Sequence, residues 1–252
     1  MDILANLDFY TAFKYLVPSL IDGLWIVLQA TIFGFLLAMI LGLFIAIGRI
    51  SKFKILRGIL TVILEFIRGT PLLVQLVYMY YVVPLLISMI VQLWNPGYQF
   101  RISSLTAGIL GLGINYGCYI SEVIRSSILA IEIGQTEAAL ALGLTNTQLL
   151  VRIIIPQALR NVVPVFGNYL VMMLKDTSLL AYVAVSELLL RTQSYASQSF
   201  LTIESYTLLA IAYLILSLPL SQLVKLLEKK DAKIQLNLLK KLPKRVFLYM
   251  NM

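Results

Sequence analysis

The sequence predicts an all-α membrane protein with five transmembrane helices. Of its 252 residues, 60% are hydrophobic and only 13% are charged, which leaves too few charges for the surface of a water-soluble domain. Several apolar stretches also reach the roughly 20 residues that a helix needs to cross the hydrocarbon core of a bilayer. We therefore expect this chain to fold in a membrane.

The five spans are expected at about residues 23–48, 72–94, 104–124, 153–174 and 206–224. We expect Gly69, Thr70 and Pro71 to bend the entry into the second span, because a proline disfavours helical backbone at the residue before it. Gly113 and Gly117 form a G-x-x-x-G pair in the third span, which predicts close contact with a neighbouring helix.

Charges next to the spans predict the orientation. Basic residues follow the first span directly, and the tail after residue 224 has eight Lys or Arg against two acidic residues. Positive residues mark cytoplasmic loops, so the N-terminus is expected outside and the C-terminus inside. This divides the chain into an external segment 1–22, a transmembrane domain 23–224 and a basic cytoplasmic tail 225–252.

The loop at 134–152, between the third and fourth spans, has the sequence features of two short helices joined by a turn. Thr136 is expected to cap the first helix, with Glu137 in its first turn, where a carboxylate favours the helix dipole. Gly143 is expected as its left-handed C-terminal residue, and Thr145 and Gln148 form a capping box for a second helix. Because helices shorter than about 12 residues are marginal alone, the first helix needs a partner surface.

This loop resembles the EAA loop of bacterial ABC importer permeases through Glu137-Ala138-Ala139, Gly143 and residues 153–156, with Ile155 where the family pattern has Leu. Residues 66–75 and 175–179 are similar to the polar amino acid, or histidine/glutamine-type, permeases of that class. The resemblance implies the type I ABC importer permease fold. It also implies a docking site for the ATPase, at Glu137, Ala138, Ala139, Gly143 and Pro156.

The resemblance further implies the partners and the mechanism. They are ABC ATPase subunits, an extracytoplasmic solute-binding protein, a second permease copy or a homologous permease, and a polar amino acid as substrate. Alternating access in the bacterial cell membrane is expected. The chain has no G-x-x-x-x-G-K-[ST] phosphate loop, so we expect no cofactor on this chain, no enzyme activity of its own, and ATP with Mg on the ATPase subunit.

Other functional classes find less support in the sequence. The chain has no His and one Cys, Cys118, so we expect no metal site and none of the usual catalytic sets. The net charge of +8 collects beside apolar spans, which argues against nucleic acid. A secondary, ion-coupled transporter or a channel-like protein without an ATPase remains the alternative, although neither internal repeats nor a selectivity filter is visible.

Polar residues inside the spans are candidates for the substrate pathway, because they are costly in a membrane. The third span carries Asn115, Tyr119 and Glu122 at helical spacing, and we expect Asn168, Asp176 and Thr177 to face them. Either carboxylate suits an ammonium group, and the amide or hydroxyl groups suit a carboxylate. Two alternatives stay open, in which Glu122 pairs with Arg125 and Asp176 pairs with Lys175. Arg68 is interpreted as an anchor at the membrane surface.

Overall fold

A computed structural model describes residues 7–240 of the chain. All regular structure in this part is helical. The helices are α1 (Phe9–Ile50), α2 (Lys54–Arg68), α3 (Leu72–Val77), α4 (Val83–Gln92), α5 (Ser104–Leu129), α6 (Ile133–Ala141), α7 (Asn146–Leu149), α8 (Ile155–Asp176), α9 (Leu188–Ser199) and α10 (Thr202–Lys240). Wider π turns at Tyr78–Val82 and Leu150–Ile154 join α3 to α4 and α7 to α8, and a 3-10 helix at Thr177–Val183 follows α8.

Five helical stretches in the described residues are long and apolar enough to cross a membrane, as predicted. They are Phe9–Ile50, Leu72–Gln92, Ser104–Leu129, Asn146–Val183 and Thr202–Leu226. The number of spans agrees with the sequence prediction. The observed helix limits differ most from the predicted ones in the first and the last span.

The first helix begins at Phe9. It therefore includes residues 9–22, which were predicted to form an external segment ahead of the transmembrane domain. Asp8 starts this helix, because its side chain accepts a hydrogen bond from the Thr11 N–H, as an N-cap residue does. Apolar content alone does not reveal such a cap. At the other end, α10 runs on to Lys240, and residues 241–252 of the predicted tail lie outside the described residues.

Helices α1 and α5 share the largest interface of the fold, and glycines allow their close approach. A Cβ atom added at Gly42 would lie 2.5 Å from Cγ2 of Ile120, and one at Gly113 would lie 2.6 Å from the Leu37 side chain. A Cβ atom at Gly117 would lie 3.1 Å from Cβ of Leu41. The predicted packing role of the G-x-x-x-G pair is confirmed.

The second span is entered through a break in the helix, again as predicted. Helix α2 ends at Arg68, and Pro71 has the extended backbone that precedes α3. Nε2 of Gln75 donates to the carbonyl oxygens of Ile67 at 2.6 Å and Thr70 at 3.0 Å. The Thr70 hydroxyl also donates to the carbonyl oxygens of Phe66 and Ile67. A membrane offers no water to carbonyl groups at a break, so these two side chains take the place of the lost helical bonds.

Each π turn lies just before a proline. The turn at Tyr78–Val82 precedes Pro84, and the turn at Leu150–Ile154 precedes Pro156. Proline lacks an N–H and its ring crowds the carbonyl group one turn earlier, so a wider turn accommodates it without ending the helix.

A buried carboxylate holds α9 in place, beside the first half of α1. Glu187 is fully buried, and its oxygens accept bonds from the N–H groups of Leu189 and Leu190 and from the Tyr213 hydroxyl. Burial raises the pKa of Glu187, and its hydrogen bonds oppose that rise. The residue therefore caps α9 and ties it to α10.

We predict that Gly42→Ala lowers the stability of the protein by about 1–3 kcal/mol, because the added methyl group overlaps Ile120 and backbone of α5. Thermal unfolding in detergent measures the change. The matched control is Gly58→Ala in α2, where an added Cβ meets nothing within 4 Å and helix propensity favours Ala by about 0.8–1 kcal/mol. Equal unfolding midpoints for the two variants would contradict the close α1–α5 contact.

We predict that Glu187→Ala lowers stability by about 1–3 kcal/mol, because two N–H groups and a hydroxyl lose a buried acceptor. The control is Glu132→Ala, since Glu132 precedes α6 without a capping bond from its side chain and its replacement should cost less than about 0.5 kcal/mol. Thermal unfolding compares them, and an equal loss in both would refute the capping role.

Candidate functional site

The loop between α5 and α8 forms a helix, a tight turn and a second helix, as the sequence predicts. After α6 ends at Ala141, Gly143 adopts a left-handed backbone with φ of +79°. The Leu144 N–H donates to the Ala139 carbonyl at 3.1 Å, and the Gly143 N–H to the Leu140 carbonyl at 2.9 Å. These two bonds make a Schellman motif, so the predicted C-terminal role of Gly143 is confirmed.

The predicted start of this helix is wrong. It begins at Ile133, three residues before Thr136, and runs for nine residues. The Gln135 N–H already donates to the Glu132 carbonyl, and the sequence between them contains no proline to prevent an earlier turn. Glu137 is therefore in the second turn, where the helix dipole acts on it less.

The second helix begins at the predicted capping box. The Thr145 hydroxyl accepts from the Gln148 N–H at 3.3 Å, and the Gln148 side chain accepts from the Thr145 N–H at 3.0 Å. From Asn146 the helical path continues through the π turn into α8, with Pro156 in the first turn of α8. This path connects the loop directly to the fourth span.

Helix α6 leaves large apolar side chains uncovered. Ile133 is 74% exposed and Leu142 is 81% exposed, and Glu137 and Ala138 are exposed beside them, whereas Ala139 is buried. One side-chain bond, from Nε2 of Gln157 to Oε1 of Gln135 at 3.1 Å, joins α6 to α8. A short helix outside the candidate spans with exposed apolar side chains is a candidate for a binding site.

Between α5 and α8 the structure brings together Asp176 and three tyrosines. Oδ2 of Asp176 accepts a bond from the Tyr116 hydroxyl at 2.7 Å. The ring of Tyr169 lies 6.1 Å from that of Tyr116 and 6.2 Å from that of Tyr119. The Arg68 guanidinium lies 5.4 Å from the ring centre of Tyr119, within the range of a cation–π interaction. We call these five residues the aromatic cluster.

Glu122 does not belong to the aromatic cluster. Its carboxylate binds Nη1 of Arg49 and, at 2.6 Å, Nη2 of Arg125. The alternative prediction, in which Glu122 pairs with Arg125, is therefore confirmed. Arg49 of α1 binds the same carboxylate. These charges tie α1 to α5 at one end of the bundle, which we call the basic end because Arg49, Lys54, Arg57 and Arg125 gather there.

The remaining predicted pathway residues are dispersed. Asn115 is buried and donates to Oε1 of Gln75 at 3.0 Å, next to the break before α3. Thr177 is fully buried, and its hydroxyl donates to the Leu174 carbonyl. Asn168 lies on the exposed side of α8. Asp176 makes no ion pair with Lys175 in the described residues.

Sequence reasoning missed Gln75, Tyr116 and Tyr169 and treated Arg68 only as an anchor. Tyr116 lies one turn before Tyr119 on the same helix, a spacing that would have included it in the polar face. No local pattern joins it to Asp176, which is 60 residues away. In the described residues no group of three or more Cys, Asp or Glu is placed to hold a metal ion.

Comparison with known proteins now identifies the family. Residues 38–232 match the model of the binding-protein-dependent transport system inner membrane component. The chain belongs to this family. It is a permease subunit of an ABC importer and a multi-pass protein of the bacterial inner membrane.

Two relatives and one solved structure resemble this permease over most of its length. The probable amino-acid ABC transporter permease protein y4tG of Sinorhizobium fredii is 36% identical over 84% of this chain and 87% of its own. The glutamine transport system permease protein GlnP of Escherichia coli is 33% identical over 85% and 93%. A chain from the crystal structure of an amino acid ABC transporter with histidines is 32% identical over 89% and 99%, with a TM-score of 0.78.

Proposed function

We propose that this permease imports a polar amino acid, driven by a separate ATPase that docks on α6. The exposed apolar surface of α6, held by the Schellman turn at Gly143, is the observation that supports docking most directly. A helix this short gains stability from a partner, and the continuous helical path from Asn146 into α8 would carry the movement of that partner into the fourth span.

The basic end of the bundle faces the cytoplasm in this proposal. Arg49, Arg57 and Arg125 lie at that end, which the positive-inside rule assigns to the cytoplasm. The α9 end would then face the solute-binding protein. ATP and Mg belong to the ATPase subunits, and the permease itself performs no chemistry on its substrate.

The aromatic cluster is the part of the membrane domain that best suits an amino acid. Asp176 provides a carboxylate for an ammonium group, and Arg68 provides a cation for a carboxylate. The aromatic rings between them can also accept a cation on their faces. The amino-acid names of y4tG, GlnP and the solved transporter support this class of substrate.

A second permease, either a copy of this chain or a homologue, is part of the proposal. Large apolar residues are exposed along α1 and α2, among them Trp25, Phe44 and Phe66. Five spans leave these faces open to lipid or to another subunit, and a pathway enclosed on all sides needs more helices than one chain provides.

Gly143→Asp is predicted to uncouple ATP hydrolysis from transport. Space for the side chain exists, since an added Cβ meets nothing within 4 Å in the isolated chain, and Asp tolerates the left-handed backbone better than most residues. The new carboxylate would instead meet the docked ATPase. Uptake by reconstituted vesicles should fall at least about tenfold, if about 1.4 kcal/mol of the coupling contact is lost, while the ATPase keeps its basal rate.

Gly143→Asn is the matched control, because Asn has nearly the same shape and backbone tolerance without the charge. It should retain most of the uptake. Normal uptake in the Asp variant would argue against a docked contact at Gly143. An equal loss in both variants would show that the added side-chain volume, and not the negative charge, disturbs the contact.

Asp176→Asn is predicted to lower uptake about 10- to 100-fold, the effect of losing one charged hydrogen-bond partner. Basal ATPase activity should stay within about twofold, since about 0.4 kcal/mol corresponds to that factor. Glu122→Gln is the comparison, because its carboxylate is already bound by two arginines. The main effect of Glu122→Gln should be a lower unfolding temperature. Full uptake by the Asp176 variant would remove this residue from the pathway.

A further inference from the structure

A groove of about 460 Å³ opens at the basic end, between α1, α2 and the end of α5. Four cations line it, Arg49, Lys54, Arg57 and Arg125, and its lining, all in the described part of the chain, includes no carboxylate. Like charges gathered in one groove repel each other. An anion bound among them would therefore lower their mutual repulsion.

The chain's own anions neutralise this groove only in part. Glu122 binds Arg49 and Arg125, and within the described residues Lys54 and Arg57 take part in no ion pair. The Arg49 side chain is 11% exposed, and its buried Nε has no hydrogen-bond acceptor there. A buried donor without an acceptor is uncommon, so the Arg49 side chain, which lines the groove, keeps an unsatisfied hydrogen-bonding group.

Arginine and lysine together favour a phosphate group as the bound anion. The guanidinium fork matches two phosphate oxygens, and an ammonium group adds a compact charge. Thr61 and Gly58 line the same groove, and an added Cβ at Gly58 meets nothing within 4 Å. The α2 side of the groove is therefore open enough to admit a headgroup.

The apolar face of α2 indicates that the phosphate belongs to a lipid. Ile55, Ile59, Val62 and Phe66 are each at least 55% exposed and follow one another at spacings of four, three and four, which places them on one side of the helix. Val62 also lines the groove. Acyl chains on this face would leave their headgroup beside Lys54 and Arg57.

We propose that this groove binds the headgroup phosphate of an anionic phospholipid. The lipid bridges α1, α2 and α5, and its charge offsets the cations that Glu122 leaves unbalanced. Anionic lipid then stabilises the basic end of the permease more than a neutral lipid does. This proposal concerns the membrane domain alone and holds whichever substrate the permease carries.

Lys54→Gln/Arg57→Gln tests the site without breaking the Arg49–Glu122–Arg125 ion pairs. The full-length chain in detergent is titrated with dioctanoyl phosphatidylglycerol, and the unfolding midpoint gives an apparent Kd. The double variant should bind about 10- to 30-fold more weakly, since each cation near an anionic lipid contributes about 1 kcal/mol. Phosphatidylcholine should give a smaller shift in the wild type, because its choline is a cation.

Lys225→Gln/Lys229→Gln in α10 is the control for overall charge, because it removes the same number of cations elsewhere. It should leave the Kd within about twofold, a change of about 0.4 kcal/mol. A loss of affinity equal to that of the groove variant would show general electrostatic attraction and overturn the proposal, as would an unchanged Kd in Lys54→Gln/Arg57→Gln.

Gly58→Asp and Gly58→Asn form a second pair of variants of nearly equal shape. Both have room for a Cβ, so a folding defect shared by both is visible as a lower midpoint without lipid. The carboxylate of the Asp variant should weaken phosphatidylglycerol binding about tenfold relative to the Asn variant, about 1.4 kcal/mol. Equal affinities in the pair would contradict a phosphate bound beside Gly58.

Two further titrations test which anion binds and whether the groove stays open in the assembled transporter. Inorganic phosphate at millimolar concentration should give no stabilisation comparable to that of the lipid, and an equal effect would assign the site to free phosphate. The titration is repeated with the chain assembled on its ATPase. A shift that persists supports the lipid, whereas a shift that disappears would mean that the ATPase covers the groove and would overturn lipid binding there in the assembled transporter.

Discussion

Close packing of α1 against α5 is the contact on which the rest of the structure depends. Glycines at 42, 113 and 117 allow the two helices to approach, and this approach brings Arg49 of α1 to Glu122 of α5. With little hydrophobic drive between helices in lipid, small residues and polar bonds hold a membrane bundle together. The aromatic cluster and the basic groove both include residues of α5, and the loop that carries α6 follows α5 directly.

Much of the fold could be predicted from the sequence because membrane spans have a strong signature. Length and apolar content marked five spans, and the glycine pair and the break at Pro71 were predicted from single residues. The true start of α1 was missed, since a cap such as Asp8 acts through one local bond that hydropathy does not record. The early start of α6 was missed for a similar reason, because Thr136 suits a cap and the chain does not use it.

The geometry of the candidate sites was predictable where the partners are local and unpredictable where they come from distant helices. The turn at Gly143 and the capping box at Thr145 lie within a few residues of their partners, and both were predicted. The bond between Tyr116 and Asp176 joins residues 60 positions apart, and the pair formed by Glu122 and Arg49 joins residues 73 apart. Periodicity places a residue on a helix face, and only the packing of helices decides which face it meets.

Site-specific photo-crosslinking tests the proposed docking of an ATPase at α6 most directly. A photoreactive amino acid replaces Leu142, which is 81% exposed, and in a control it replaces Trp94, which is 78% exposed beyond α4. Irradiation of membranes from cells that produce the whole transporter should link the ATPase to position 142 and not to position 94. No ATPase linked at position 142, or equal linking at both, would contradict docking on this helix.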